Sequence, residues 1–218
     1  PFSHWFPCDR MMAGKETRRN DPIGLTHIHH FYTKRNLLIL SALRAKVEES
    51  GIKALHYWLN SLDHGLGKRV KHGNYSFPMS TLSGTLYVPS LGRENNPLYF
   101  YATRFKKQSA VLAGSSAQGN PVSTQSSERL NVLDNSLDYI FVDPPFGSNL
   151  NYSELSFPWE CWMKVRTDNV PEAIENSVQG KGSAEYRHLM TDCFRENYRM
   201  LKPGRWMTVE FSNTKASV

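Results

Sequence analysis

The pattern between Leu137 and Phe211 limits the fold more than any other part of this chain. The apolar run "LDYIFV" at Leu137–Val142 has the length and composition of a short buried strand. A helical period follows from about Ser183 to Leu201, with Tyr186, Leu189, Met190, Cys193, Phe194, Tyr198 and Leu201 on its apolar face. Lys202-Pro203-Gly204 should stop that helix, and Trp206–Phe211 reads as the next strand. Strand, helical crossover and strand make a βαβ unit, which requires a parallel sheet. In such sheets ligands bind beyond the carboxyl ends of the strands. Asp143 occupies one of those ends, and Ser212-Asn213 occupies the other.

The first half of the chain reads differently. Residues 1–33 carry charges, Gly and Pro without a period. Thr33 is placed to cap a helix whose Leu37, Leu40, Leu43 and Val47 share one face, and Gly51 to end it. A shorter helix is expected over Ile52–Leu62. The runs "GTLYVPS" and "PLYFYATRF", separated by "LGRENN", read as a β-hairpin with a polar turn. The basic stretch "DHGLGKRVKHGNYS" at Asp63–Ser76 reads as a Gly-containing loop that could touch phosphates or simply be a solvated surface. Three histidines stand in "THIHHF" without a cysteine or acid at ligand spacing, so no metal site is expected. The small polar run "AGSSAQGN" fits neither the dinucleotide nor the phosphate-loop spacing.

Charge divides the chain. Residues 1–110 hold 16 Lys/Arg against 7 Asp/Glu, whereas residues 111–218 hold 10 against 13. A basic half beside a mildly acidic one is consistent with a polyanionic partner, and equally with a solvated basic surface. Three widely spaced cysteines suit a reducing compartment better than a disulfide framework. No apolar run is long enough for a membrane helix. With no initiating Met, the chain is expected to be an internal piece of a longer protein.

Asp143-Pro144-Pro145-Phe146 ends the first strand in an unusual way. Proline lacks an N–H and fixes φ, and the second proline holds the first extended. The pair therefore ends the ladder and leaves a stiff loop at the rim. That loop offers a carboxylate, a free carbonyl at Pro144 and an aromatic face at Phe146. A flat ring bearing an amino group has two N–H donors to match them, as adenine, cytosine and guanine do. Both bonds would localise the amine lone pair and prepare it to attack an electrophile.

These four residues resemble the Asp/Asn/Ser-Pro-Pro-aromatic motif of nucleic-acid amino-methyltransferases. "DNSLDYIFVDPPFGSNLNYSEL", "SFPWECWMKV" and "EYRHLMTDCFRENYRMLKPGRWMTVEFSN" look like bacterial and phage DNA methylases of the adenine-N6/cytosine-N4 kind. "HHFYTKRNLLILSAL" is similar to a helix entry in the same proteins. The resemblance implies an α/β, Rossmann-like methyltransferase with a parallel-rich sheet, S-adenosylmethionine as methyl donor, and double-stranded DNA as partner. It also implies a cytoplasmic protein of a bacterium, an archaeon or a phage.

The resemblance places catalysis on Asp143, Pro144, Pro145 and Phe146, and cofactor contacts on Ser126, Asp143, Arg35 and Asn36. It places substrate contacts on Phe146, Asn149, Tyr152 and Asn213. Ser126 stands where the family has an acid, which weakens that contact. The family's Gly-rich cofactor loop is not in the chain, so the fold is expected as a fragment lacking it and binding the donor weakly or not at all. Residues 1–125 form the expected basic, DNA-facing part, and residues 126–218 the catalytic half.

Several of these residues have a plain structural alternative. Arg35 and Asn36 open a helix, Tyr152 and Glu154 could start one, and Asn213 could cap a turn. Trp159 and Trp162, beside Phe157, read as core. Two other functions stay open: an RNA or protein methylase with the same motif, and a nucleic-acid-binding module without catalysis.

Overall fold

The computed structural model describes residues 3–73, 81–114 and 121–212. It divides into two compact units, residues 1–120 with 154–167 and residues 121–153 with 168–218. The charge follows this division: the first unit carries 18 Lys/Arg against 9 Asp/Glu, the second 8 against 11.

The first unit is helical: α1 (Lys15–Arg18), α2 (Lys34–Ser50), α3 (Lys53–Leu62), α4 (Pro97–Gly114) and, from Glu154 onward, α5 (Tyr152–Met163). The Thr33 hydroxyl accepts from the Asn36 N–H at 3.2 Å and opens α2. Gly51, at φ 65°, ends it in the left-handed conformation that favours glycine. Its core joins Ile28, Phe31, Leu37, Leu40, Leu66 and Leu86 to Phe157 and Trp162, all nearly or fully buried. Trp162 donates its indole N–H to the Tyr32 hydroxyl at 3.1 Å.

Glu154, fully buried, also serves this unit. Its carboxylate accepts the Thr17 N–H at 2.8 Å. Gly14 lies so close that an added Cβ would fall 1.9 Å from the Glu154 carboxyl carbon. The residue is thus a distant cap for α1, and only glycine fits at position 14.

The expected hairpin is not there. "PLYFYATRF" lies in α4, because Asn96 and Pro97 form a helix start. The Asn96 side-chain oxygen accepts from the Leu98 and Tyr99 N–H groups at 3.0 and 3.4 Å, and Pro97 takes the first helical position. Aromatic residues raised the strand expectation, but they serve helix packing instead: Tyr101 is buried and donates to the Leu59 carbonyl at 3.1 Å. "GTLYVPS" forms no strand and opens in a turn at Gly84, whose φ is 69°. Its polar groups go to α1, with the Thr85 hydroxyl and the Leu86 N–H both donating to Glu16.

The second unit holds β1 (Leu137–Val142), α6 (Ser183–Met200) and β2 (Leu201–Val209). The strands pair in parallel, as the βαβ order demands, from Leu137↔Leu201 to Val142↔Val209. The register breaks between Leu137 and Tyr139. Lys202-Pro203-Gly204 falls in that irregular stretch of β2, so the helix ends at Met200, just before this triplet. Lys202 and Arg205 there both reach Asp138, at 2.8 and 3.3 Å.

Two expectations about this unit fail. The strand is not buried: only Ile140 is, while Tyr139 and Phe141 are 55% and 58% exposed. Side chains alternate across a strand, so Tyr139 and Phe141 share a face with Trp206, and no described element covers it. On α6 the covered face drifts away from Tyr198, which is 82% exposed, to Glu196, Asn197 and Met200. Glu196 can be covered because Arg199 pairs with it and the Leu130 N–H donates to it at 2.6 Å. Those partners hold its carboxyl down at about 2.

Candidate functional site

The last ladder bond runs from the Glu210 N–H to the Val142 carbonyl at 2.9 Å. Beyond it Pro144 and Pro145 have no N–H to offer, and the chain leaves the sheet. Asp143 is exposed at this edge. Among the described residues neither its carboxylate nor the Pro144 carbonyl accepts a hydrogen bond.

The residues after them are tightly held. The buried Tyr186 of α6 donates its hydroxyl to the Pro145 carbonyl at 2.7 Å, and the same oxygen receives the Gly147 N–H. One phenol therefore brackets Phe146 on both sides. The Phe146 carbonyl accepts from the Asn149 N–H at 3.2 Å, and the Gly147 carbonyl from the Glu175 N–H at 3.1 Å. Gly147, at φ 60°, makes the turn that this wiring needs. Burial raises the Tyr186 pKa, so its O–H stays protonated and available as a donor.

Phe146 meets Phe211 edge to face, with ring centroids 5.3 Å apart and planes at 77°. Such an L-shaped corner gives a planar ligand one face to lie on and a second ring against its edge. Phe211 was not singled out by the motif. The signal was its position two residues past β2, where the parallel register carries it alongside Pro144.

Tyr152, at the start of α5, lies within electrostatic reach of Asp143 and is 44% exposed. Its pKa is raised first by burial, then by the nearby carboxylates of Asp143 and Glu172. The next residue, Ser153, donates its N–H and hydroxyl to Glu172 at 2.8 and 2.5 Å. Lys181 clamps the same segment by donating to the Asn169 and Glu172 carbonyls at 2.6 and 2.7 Å, and burial lowers its pKa. Asn151 and Asn176, both buried, are joined at 3.1 Å. The loop from Asp143 to Ser153 thus rests on residues 169–182.

The other expected site residues do not join this corner. Asn149 contributes a backbone bond, and its side chain is exposed. The Ser126 hydroxyl accepts from the Glu128 N–H at 3.3 Å in a local turn. Arg35 pairs with Glu94 at 3.2 Å and donates to the Asn95 carbonyl. Asn36 is fully buried and gives its amide to the Leu66 and Asn95 carbonyls at 2.9 and 3.1 Å. Both belong to the first unit and are used within it. Asn213 lies outside the described residues.

His27, His29 and His30 lie ring against ring, with centroids 4.3 to 5.6 Å apart. Among the described residues no group of three or more His, Cys, Asp or Glu is arranged to hold a metal. Cys161 is buried, which pushes its thiol up to about 12, so it is no nucleophile at neutral pH. No described helix is long and apolar enough to cross a membrane.

No family model, curated protein or solved structure matches this chain.

Proposed function

We propose that this chain presents the substrate side of an S-adenosylmethionine-dependent, Rossmann-like amino-methyltransferase, and that its substrate is the exocyclic amine of a flipped adenine or cytosine in double-stranded DNA. One observation carries the proposal. At the carboxyl end of a parallel strand, two acceptors without described partners stand beside an aromatic ring whose backbone is pinned from both sides.

The chemistry follows from those groups. The base lies in the Phe146–Phe211 corner. Its amine donates one N–H hydrogen bond to the Asp143 carboxylate and the other to the Pro144 carbonyl, which concentrates the nitrogen lone pair on the open side. The nitrogen is itself the nucleophile, so no covalent bond to the protein is required, and the inert Cys161 is consistent with that.

The residues expected to hold the donor do not form a set. Arg35 and Asn36 are used inside the first unit, and Ser126 sits in a local turn. The donor's contribution to the reaction is the methyl group. The assignment to the cytoplasm of a bacterium, an archaeon or a phage belongs to this same proposal.

The test is to incubate the full-length protein with S-adenosylmethionine and mixed-sequence duplex DNA, then digest the DNA and identify the nucleosides by mass spectrometry. N6-methyladenine or N4-methylcytosine is expected. DNA binding without any methylated base would show a binding module rather than an enzyme.

A further inference from the structure

The start of α2 spends its polar groups on the chain itself. Asn36 is fully buried, and its amide donates to the Leu66 and Asn95 carbonyls at 2.9 and 3.1 Å. Its side-chain oxygen accepts from the Arg35 Nε at 3.3 Å, and its backbone N–H goes to the Thr33 hydroxyl at 3.2 Å. That hydroxyl in turn donates to the Glu94 carboxylate, which also pairs with Arg35 at 3.2 Å. Arg35 reaches the Asn95 carbonyl as well, at 3.4 Å. Asn95 donates its own amide to the Gly65 carbonyl at 2.7 Å, and Asn96 opens α4. Three places remote in sequence are thus tied together: the start of α2, the short helical turn at Asp63–Leu66, and the start of α4.

This wiring does not suit the methyl donor that the resemblance assigns to Arg35 and Asn36. An asparagine amide has two N–H donors, and Asn36 has spent both on buried carbonyls. With no exposed surface, its side chain offers no atom to an adenine edge or a ribose diol. A donor carboxylate would be drawn to a helix start that carries an arginine. Here that place already holds the Glu94 carboxylate, so a second anion would meet a like charge. Arg35 is half-exposed, but its charge is balanced by the same Glu94.

We infer that Thr33, Arg35, Asn36, Glu94 and Asn95 form a closed clasp joining the start of α2 to the start of α4, and that this clasp holds no part of the methyl donor. The inference rests on the proposed function for the existence of a donor. It goes beyond that reading by taking the start of α2 out of the cofactor site and giving it a structural task. Glu94 fills, from within the chain, the place that an external anion would take.

The test joins thermal melts to calorimetric titration with S-adenosylhomocysteine, using the full-length protein and its Asn36→Ala, Arg35→Gln and Glu94→Gln variants. Asn36→Ala strands the Leu66 and Asn95 carbonyls, so its midpoint should fall by about 5 °C or more. The dissociation constant of each folded variant should stay at the wild-type value. If Asn36→Ala does not fold, its loss supports the clasp, and Arg35→Gln and Glu94→Gln still read the donor.

Weakening by about tenfold or more in Arg35→Gln, the size of a lost charged contact, would overturn the inference while sparing the proposed function. Tightening by a similar factor in Glu94→Gln would also overturn it, because Glu94 would then be blocking a donor site. A wild-type protein that binds no S-adenosylhomocysteine would sink the proposed function instead. The clasp would then stand or fall on the melts, and an unchanged midpoint in Asn36→Ala would remove it.

Discussion

Asp143 and Tyr186 divide the work of the corner, and substitution separates them. Asp143 is exposed and has no described hydrogen bond, so Asp143→Ala should leave the thermal midpoint unchanged. Methyl transfer by the full-length protein should nevertheless fall by about 10²–10³, the usual loss of a preorganised polar contact. Single-turnover assays beside thermal melts would check this, and near-normal turnover would remove Asp143 from its role. Tyr186→Phe should behave in the opposite way. It strands the Pro145 carbonyl and the Gly147 N–H, and should cost about 1–3 kcal/mol of stability by denaturant titration. A melt indistinguishable from wild type would show that the phenol does not hold the loop. The motif made Asp143–Phe146 visible in the sequence. Tyr186 was visible only as one more apolar position on a helix, because its bond partner lies 41 residues earlier in the chain.

Among the elements, those whose ends carry local chemistry were legible. Thr33 and Gly51 bound α2, and the strand–helix–strand order predicted parallel pairing. The failure at α4 has a physical cause. Aromatic and β-branched residues favour strands when judged one by one, but a short polar side chain before a proline is a stronger statement about backbone direction. Asn96→Ala removes the acceptor for the Leu98 and Tyr99 N–H groups. It should cost about 1 kcal/mol, with loss of helical signal in circular dichroism. An unchanged midpoint would mean that Pro97 alone starts the helix. Exposure was the other failure, and for a different reason: the apolar pattern of "LDYIFV" cannot distinguish a face that is covered from one that is not.

At the scale of the whole molecule, the largest apolar cluster lies in the first unit, and so does a group sensitive to pH near neutrality. His29 sits against Phe6, His27 and His30, with the Lys68 ammonium on the His30 carbonyl. Burial, then the neighbouring imidazoles, lower its pKa below 6.5. The unfolded chain therefore binds the proton more readily. Stability should decline as pH falls below about 6.5 toward the depressed value, and be fully restored above it. Melts between pH 5 and 8 should show this slope, and His29→Gln should flatten it. A slope of opposite sign would mean that protonated His29 is stabilised in the fold.

The uncovered aromatic face has an optical consequence. Of the five tryptophans, Trp206 alone belongs to the second unit, and it is 77% exposed. Trp162 is buried in the core of the first. Lys202 and Arg205 lie close to Trp206 in sequence, so iodide should be drawn to that indole. Iodide quenching should resolve a red-emitting, accessible fraction from a blue, protected one. Replacing Trp206 with Phe should remove most of the accessible fraction and leave the part due to Trp5, which is 44% exposed, so the native residue is a built-in reporter of whatever comes to lie on that sheet.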